Sequence, residues 1–129
     1  SIINTTGNPD GHVVLRGGSN GPNFENQHVQ RISAELKKSN LPHKVMIDCS
    51  HGNSNKDFRQ QSEVLKNIAT QICNGENNIL GVMLESHLKE GNQKLLRKED
   101  LEFGKSITDA CIDIETTEEL LAILYNSIN

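Results

Sequence analysis

The sequence contains no tryptophan, and its other aromatic residues are limited to three phenylalanines and one tyrosine in 129 residues. A buried interior must therefore be built from aliphatic side chains, which suits folds that combine strands and helices. Basic residues are also few, because thirteen lysines and arginines against seventeen acidic residues give a net charge of −4. This charge removes the electrostatic basis for a general binder of nucleic acid or of an anionic membrane.

Long apolar runs and paired cysteines are missing as well. No stretch approaches the 18 or more apolar residues of a membrane span, and the first residues resemble neither a signal peptide nor a transit peptide. The three cysteines form neither a CxxC pair nor a disulfide ladder. We therefore expect a cytoplasmic protein with no membrane partner. A chain of 129 residues is also well under the roughly 250 residues of a closed eight-stranded barrel.

Strands and helices are predicted to alternate along the chain. Apolar runs bounded by turn residues predict three strands, at residues 12–16, 45–47 and 79–84. Apolar residues at three- and four-residue spacing predict two helices, at about residues 26–39 and 57–73, and a third helix closes the chain. This order is typical of an α/β fold with parallel strands. Three such strands have two open edges, so the unit looks incomplete.

Four local expectations are more specific. Residues 79–84 are apolar on both alternating faces, which predicts a strand that is covered on both sides. Residues 86–103 are polar and are assigned no regular element. A capping box from Thr116 to Glu119 predicts the start of the last helix. Cys73 and Cys111 are expected to be small buried hydrophobic residues.

Polar side chains stand at the end of each predicted strand, namely Arg16, then Asp48 and His51, then Glu85. The carboxyl ends of parallel strands meet at one edge, where active sites of such folds lie. Asp109 joins this group if the polar segment at residues 86–103 leads the chain back to the same edge. One imidazole nitrogen and two carboxylates, from His51, Glu85 and Asp109, would suit a divalent ion such as Mn, Fe or Zn.

Each of these residues also has a plainer interpretation. Arg16 followed by two glycines can hold a phosphate or carboxylate, but the same pattern describes a surface arginine on a tight turn. His51 alone is more often a hydrogen-bonded structural histidine, and Asp109 alone is more often a helix cap or a loop residue. Glu85 directly follows six apolar residues, so its carboxylate must meet water, a cation or a metal.

The polar residues at the strand ends lie within four sequence motifs that occur together in one known family. The motifs are Leu-Arg-Gly-Gly at 15–18, Met-Ile-Asp-Cys-Ser-His-Gly-Asn-Ser at 46–54, Gly-Val-Met-Leu-Glu-Ser-His at 81–87 with Glu-Gly-Asn-Gln at 90–93, and Gly-Lys-Ser-Ile-Thr-Asp-Ala-Cys at 104–111. Together they resemble the type I DAHP synthases. The likeness runs from Ile2 to about Asn129.

The resemblance implies a single partial catalytic domain over residues 1–129, the C-terminal portion of a TIM (β/α)8 barrel with about three strand-helix units. It implies the metal-dependent aldol-type condensation of phosphoenolpyruvate with erythrose 4-phosphate, at the start of aromatic amino-acid biosynthesis. His51, Glu85 and Asp109 match the family's metal ligands, and Arg16 matches the arginine that grips phosphoenolpyruvate. The full-length family members are homo-oligomers, either dimers or tetramers.

The resemblance also implies what this chain does not carry. The fourth ligand of the family is a cysteine on an early strand, and Cys49 does not occupy its position. Further phosphate-binding residues of the family likewise belong to segments before Ser1, so the chain alone is expected to be inactive. The alternative is a non-catalytic metal- or phosphate-binding half-barrel module. A nucleic-acid or scaffold protein has little support from an acidic chain without an aromatic platform.

Overall fold

A computed structural model describes residues 1–128 of the chain. Its main sheet is parallel with the strands in chain order: β1 (Val13–Leu15), β2 (Val45–Asp48) and β3 (Ile79–Met83). Two further short strands pair in parallel: β4 (Lys89–Asn92) and β5 (Lys105–Ser106). The helices are α1 (Asn26–Lys38), α2 (Gln61–Cys73) and α3 (Ile114–Ile128), with single 3-10 turns at Phe58–Gln60 and Lys98–Asp100.

The hydrophobic core lies between the three-stranded sheet and the helices. It is aliphatic apart from one cysteine, and its buried members are Leu15, Val29, Val45, Ile47, Cys49, Val64, Leu65, Ile68, Ile112 and Leu120. The strands contribute alternate residues to this side, as the period of two in a strand requires. The expected α/β class, the order of the three strand-helix units and the aliphatic interior are confirmed.

The opposite face of the sheet is open, and this corrects one prediction. The expected strand at 79–84 ends at Met83, and it is not covered on both sides, since Leu80 is 52% exposed and Met83 is 42% exposed. β3 lies at the edge of the sheet, and the three helices cover only one face. Three strand-helix units have too few elements to cover both faces. That the sheet belongs to a (β/α)8 barrel stays a prediction.

Two other local predictions were wrong. The polar segment at residues 86–103 contains β4, which pairs with β5, although no regular element was expected in this segment. The last helix begins at Ile114, ahead of the predicted capping box, because the Asp113 carboxylate accepts the backbone N–H of Thr116 at 2.8 Å. Asp113 therefore accepts the Thr116 N–H, which the side chain of Glu119 would have accepted in the predicted capping box.

The exposure of the cysteines gives one further correction. Cys73 is exposed in the last turn of α2, whereas Cys111 is buried as expected. Gly75 follows this helix with a φ of 92°, the left-handed conformation that often ends helices and that glycine adopts without strain. Among the helices described, none combines the length and hydropathy needed to cross a bilayer.

Candidate functional site

The carboxyl ends of the three parallel strands lie at one edge of the sheet, beside a cavity of about 220 Å³. Its lining includes all four residues expected to be functional as well as residues from the turn before α2. The lining residues are Arg16, His51, Ser54, Lys56, Phe58, Glu85, Asp109 and Ala110. The cavity is thus assembled from segments that are far apart in the sequence.

His51 is oriented by the two polar residues at the end of β2. Its Nδ1 lies 2.8 Å from Oδ2 of Asp48 and 2.7 Å from Oγ of Ser50. The Ser50 hydroxyl donates to Oδ1 of Asp48 at 2.6 Å, and Asp48 is only 2% exposed. Because an ionised carboxylate only accepts hydrogen bonds, Nδ1 of His51 carries a proton. In the neutral imidazole with this tautomer, the lone pair is on Nε2, which faces Glu85 across the cavity.

Two carboxylates, those of Glu85 and Asp109, converge with His51 at the cavity. Nε2 of His51 is 3.5 Å from Oε1 of Glu85, and both side chains are about 30% exposed. One atom each from His51, Glu85 and Asp109 lies within 4.8 Å of the others. An imidazole lone pair and a carboxylate oxygen repel each other at this distance unless a proton or a cation lies between them. The nitrogen and two carboxylates fit a borderline divalent ion.

Asp109 reaches the site through backbone pairing close by. The N–H of Ile112 donates to the Glu85 carbonyl at 3.0 Å, and the N–H of His87 donates to the Ile112 carbonyl at 3.0 Å. Cys111 and Gly91 exchange two further backbone hydrogen bonds. This pairing fixes the segment that follows Asp109 beside the end of β3. Asp109 is nevertheless the most exposed of the three potential ligands.

The carboxylate of Glu85 lies in an unfavourable environment when no cation is near. Burial raises the pKa of Glu85, and the negative charges of Asp109 and Asp48 raise it further. A positive charge on His51, when its imidazole is protonated, and a hydrogen bond with Ser50 act in the opposite direction but do not cancel the rise. A divalent ion would remove the repulsion between these carboxylates, so the electrostatics favour a cation at this position.

Arg16 lies at the rim of the cavity with an exposed side chain. Its carbonyl accepts the N–H of Gly52 at 3.0 Å, which ties the end of β1 to the turn that carries His51. Asn53 strengthens this connection, since its amide donates to the carbonyls of Leu15 at 3.0 Å and Asp48 at 2.8 Å. Within residues 1–128, no carboxylate pairs with the guanidinium of Arg16. It is therefore available to an anionic ligand.

Cys49 lies outside the group of His51, Glu85 and Asp109. Its side chain is fully buried and belongs to the hydrophobic core. Burial, with a smaller effect from Asp48, raises the pKa of the Cys49 thiol to about 12. A cysteine binds a metal as the thiolate, which this environment strongly disfavours.

Three residues near the site were missed by the sequence analysis. Lys56 adds a second basic side chain to the cavity, Asn53 joins β1 to β2, and the fully buried Gln61 contacts the backbone of Glu85. A polar residue on the apolar face of a predicted helix was the available signal for Gln61. The positions of Lys56 and Asn53 depend on the fold of the turn after β2, which the sequence pattern does not predict.

The chain is similar to several enzymes of known sequence. It is 51% identical over 128 residues to the Phe-sensitive phospho-2-dehydro-3-deoxyheptonate aldolase of Escherichia coli K12, covering 99% of this chain and 36% of that protein. The tyrosine-inhibited enzyme of Schizosaccharomyces pombe is 47% identical over 132 residues, with coverage of 99% and 36%. The chain thus spans about a third of the length of these relatives.

A solved structure and a family model agree with these matches. The phospho-2-dehydro-3-deoxyheptonate aldolase of Francisella tularensis SCHU S4 superposes with a TM-score of 0.91 and 49% sequence identity, over 99% of this chain and 37% of that one. The model of the DAHP synthetase I family matches residues 1–122. Since the match covers nearly the whole sequence and contains every residue of the site, the chain belongs to the DAHP synthetase I family.

Proposed function

We propose that this chain supplies the metal-holding edge and part of the phosphoenolpyruvate site of a DAHP synthase. The reaction is the condensation of phosphoenolpyruvate with erythrose 4-phosphate to give DAHP and phosphate, the first step of the shikimate pathway. The observation that carries the proposal is the convergence of His51, Glu85 and Asp109 within 4.8 Å at the cavity. Family membership and the names of the relatives support the choice of reaction.

His51, Glu85 and Asp109 would hold a divalent ion, with Mn, Fe and Zn all compatible with the donor set. In this reaction C3 of phosphoenolpyruvate attacks the aldehyde carbon, water adds at C2 and phosphate leaves. The ion, when bound, supplies Lewis-acid polarisation of the aldehyde or positions a water. Asp48 accepts a hydrogen bond from Nδ1–H of His51 and thereby keeps Nε2 available as a ligand. Glu85 ligates only as a carboxylate.

Arg16 binds phosphoenolpyruvate in this proposal. Its planar guanidinium makes two parallel hydrogen bonds to a carboxylate or phosphate, which fixes orientation as well as charge. The pairing of Arg16 with Gly52 sets its distance from His51 at the same rim. Lys56 lines the same cavity and adds to the positive charge that two anionic substrates require.

The sheet is proposed to be part of a (β/α)8 barrel, and residues 1–129 to be a partial catalytic domain. The similar structure is more than twice as long as this chain, since the match covers 37% of it. The open face and free edges of the β1-β2-β3 sheet support the presence of further strand-helix units around it. We further propose that the complete enzyme is a cytoplasmic homo-oligomer, a dimer or a tetramer.

A hybrid enzyme tests this function. In the hybrid, this chain replaces the matching segment of the E. coli Phe-sensitive relative, to which it is 51% identical. We expect the hybrid to consume phosphoenolpyruvate in the presence of Mn²⁺ and erythrose 4-phosphate. The same hybrid carrying Glu85→Gln should lose about 100-fold or more in kcat, because one of the ligands can no longer bind as an anion.

The hybrid also distinguishes a synthase from the alternative function, a non-catalytic metal- or phosphate-binding half-barrel module. A hybrid that folds with a Tm similar to that of the relative, and binds Mn²⁺ and phosphoenolpyruvate without turnover, would favour a binding module over a synthase. An exposed glutamate on another element provides the control. Glu35→Gln on α1 should leave kcat unchanged.

A further inference from the structure

Gln61 is the largest polar side chain among the fully buried residues, and it lies in the first turn of α2 with no exposed surface. Both ends of its carboxamide contact the same residue. Its Oε1 accepts the backbone N–H of Glu85 at 2.8 Å, and its Nε2 donates to the Glu85 carbonyl at 3.1 Å. A helix side chain therefore pairs with the main chain of Glu85 much as a neighbouring strand would.

This pairing occurs beyond the end of β3, where the ladder of hydrogen bonds to β2 has stopped. The ladder between β2 and β3 ends with the pair Asp48 and Met83, followed by a bond from Cys49 N–H to the Met83 carbonyl at 2.9 Å. Glu85 lies two residues beyond β3. In the described part of the chain, Gln61 provides the hydrogen-bond acceptor for the Glu85 N–H.

The Glu85 carbonyl also connects Glu85 to the segment that follows Asp109. The Glu85 carbonyl accepts from Gln61 and also from the backbone N–H of Ile112 at 3.0 Å. Ile112 lies three residues after Asp109, so the Gln61 amide lies at the junction that brings Asp109 beside Glu85. Loss of this amide would remove the side-chain acceptor of the Glu85 N–H and leave the bond from Ile112 to hold the Glu85 carbonyl.

We propose that Gln61 is a positioning residue of the metal site, which holds the Glu85 main chain so that its carboxylate stays within reach of His51 Nε2. This inference rests on the proposed function, since it assumes that Glu85 is a ligand. Outer residues that orient metal ligands typically change metal affinity by about 10- to 100-fold when they are replaced. Gln61 acts through the backbone of the ligand rather than through its side chain.

A second buried glutamine on the same helix offers a matched control. The Gln71 amide donates to the carbonyl of Phe24 at 2.9 Å and to Asn67 Oδ1 at 2.7 Å. It therefore bonds to a backbone carbonyl as Gln61 does, but it touches none of the three converging residues. Replacing Gln71 removes a buried hydrogen-bonding group from α2 without altering the backbone of Glu85.

The experiment compares Gln61→Met with Gln71→Met by calorimetric titration of Zn²⁺ into the chain, together with thermal unfolding. Methionine keeps the length of the side chain but cannot donate. Both variants should have a lower Tm. Only Gln61→Met should weaken Zn²⁺ binding, by about 10- to 100-fold, and Gln71→Met should stay within about twofold of the unsubstituted chain. Equal affinity in all three proteins, or equal loss in both variants, would overturn the proposal.

A measurement on the unsubstituted chain covers the case in which Gln61→Met does not fold. In a two-dimensional NMR spectrum, the side-chain amide of Gln61 should shift on addition of Zn²⁺, whereas that of Gln71 should not. An unchanged Gln61 amide in a chain that binds Zn²⁺ would refute the positioning role alone. An unsubstituted chain that binds no Zn²⁺ at all would refute the proposed metal site and this inference with it.

Discussion

Gly17 and Gly52 pack backbone against backbone where β1 and β2 end. A β-carbon placed on Gly17 would lie 2.5 Å from the carbonyl carbon of Gly52, and Gly17 has a φ of 75°. Real side chains do not tolerate such a distance to main-chain atoms, and only glycine adopts this φ without strain. The close approach holds Arg16 and His51 at the same rim.

The first prediction follows from this contact. Gly17→Ala should lower the free energy of unfolding by about 2–4 kcal/mol, because it combines left-handed strain with a clash that the backbone must relieve. The neighbouring Gly18 is the control, since a β-carbon there meets nothing within 4 Å. Gly18→Ala should change the stability by less than about 0.5 kcal/mol in the same urea titration. Equal stability of the two variants would contradict the packing described.

The second prediction concerns the hydrogen bond between Asp48 and His51. Asp48→Asn replaces an acceptor by a group that can donate, so Nδ1 of His51 can lose its proton and Nε2 can gain one. Zn²⁺ affinity should fall by about 10- to 100-fold in a calorimetric titration. Asp57→Asn is the control, because Asp57 caps the 3-10 turn at Phe58–Gln60 and accepts from Arg59 N–H rather than from His51. Unchanged affinity in Asp48→Asn would show that the tautomer of His51 is not set by Asp48.

The third prediction is a pH dependence that arises from Glu85. Its pKa is raised, first by burial and then by the neighbouring carboxylates. The folded chain therefore binds this proton more tightly than the unfolded chain does. Without an ion, the contribution of Glu85 to stability is present below its unfolded pKa and is lost as the pH rises through its folded pKa.

Thermal unfolding with a chelator should reveal this loss. At neutral pH, Glu85→Gln should have a higher Tm than the unsubstituted chain, and this difference should vanish in acid. Added Zn²⁺ should reverse the order, because the ion competes with the proton and binds only the carboxylate. Glu118→Gln on α3 is an exposed control that should change neither trend. A Glu85→Gln variant that Zn²⁺ stabilises as much as the unsubstituted chain would exclude Glu85 as a ligand.

The fourth prediction concerns the start of α3. The side-chain and backbone hydrogen bonds of Thr116 lower the pKa of Asp113. A lowered pKa stabilises the folded chain above the unfolded pKa, and this stabilisation is lost as the pH falls through the folded pKa. Asp113→Ala should therefore lower the Tm at neutral pH, with a smaller effect in acid. A Glu118→Ala variant, which leaves the cap intact, should have a much smaller effect at either pH.

The fifth prediction concerns activity of the isolated chain. With Mn²⁺ and both substrates, the 129-residue polypeptide should show no turnover, because three potential metal ligands and the one arginine proposed to bind phosphoenolpyruvate do not complete the proposed site. An assay of phosphate release measures this directly. Ordinary turnover by the isolated chain would contradict it, whereas binding of Mn²⁺ without turnover would agree.

Much of the architecture could be predicted because it depends on local patterns. The apolar runs that became β1 and β2, and the spacing of Leu65 and Ile68 in α2, reflect the periods of strands and helices. Parallel strands also point their carboxyl ends the same way, so the nearness of Arg16, His51 and Glu85 followed from their position after each strand. The start of α3 was missed because a nearby alternative cap, Asp113, competes with the predicted capping box.

The sequence by itself thus determined which side chains stand at the strand ends and which chemistry they offer. Only the tertiary structure decided that Asp109 joins them, since its position depends on backbone pairing between Ile112 and Glu85. Tertiary contacts likewise decided that Gln61 holds Glu85 and that Leu80 is exposed at a sheet edge. The physical reason is that periodicity along the chain fixes local elements, whereas contacts between distant segments depend on how those elements pack.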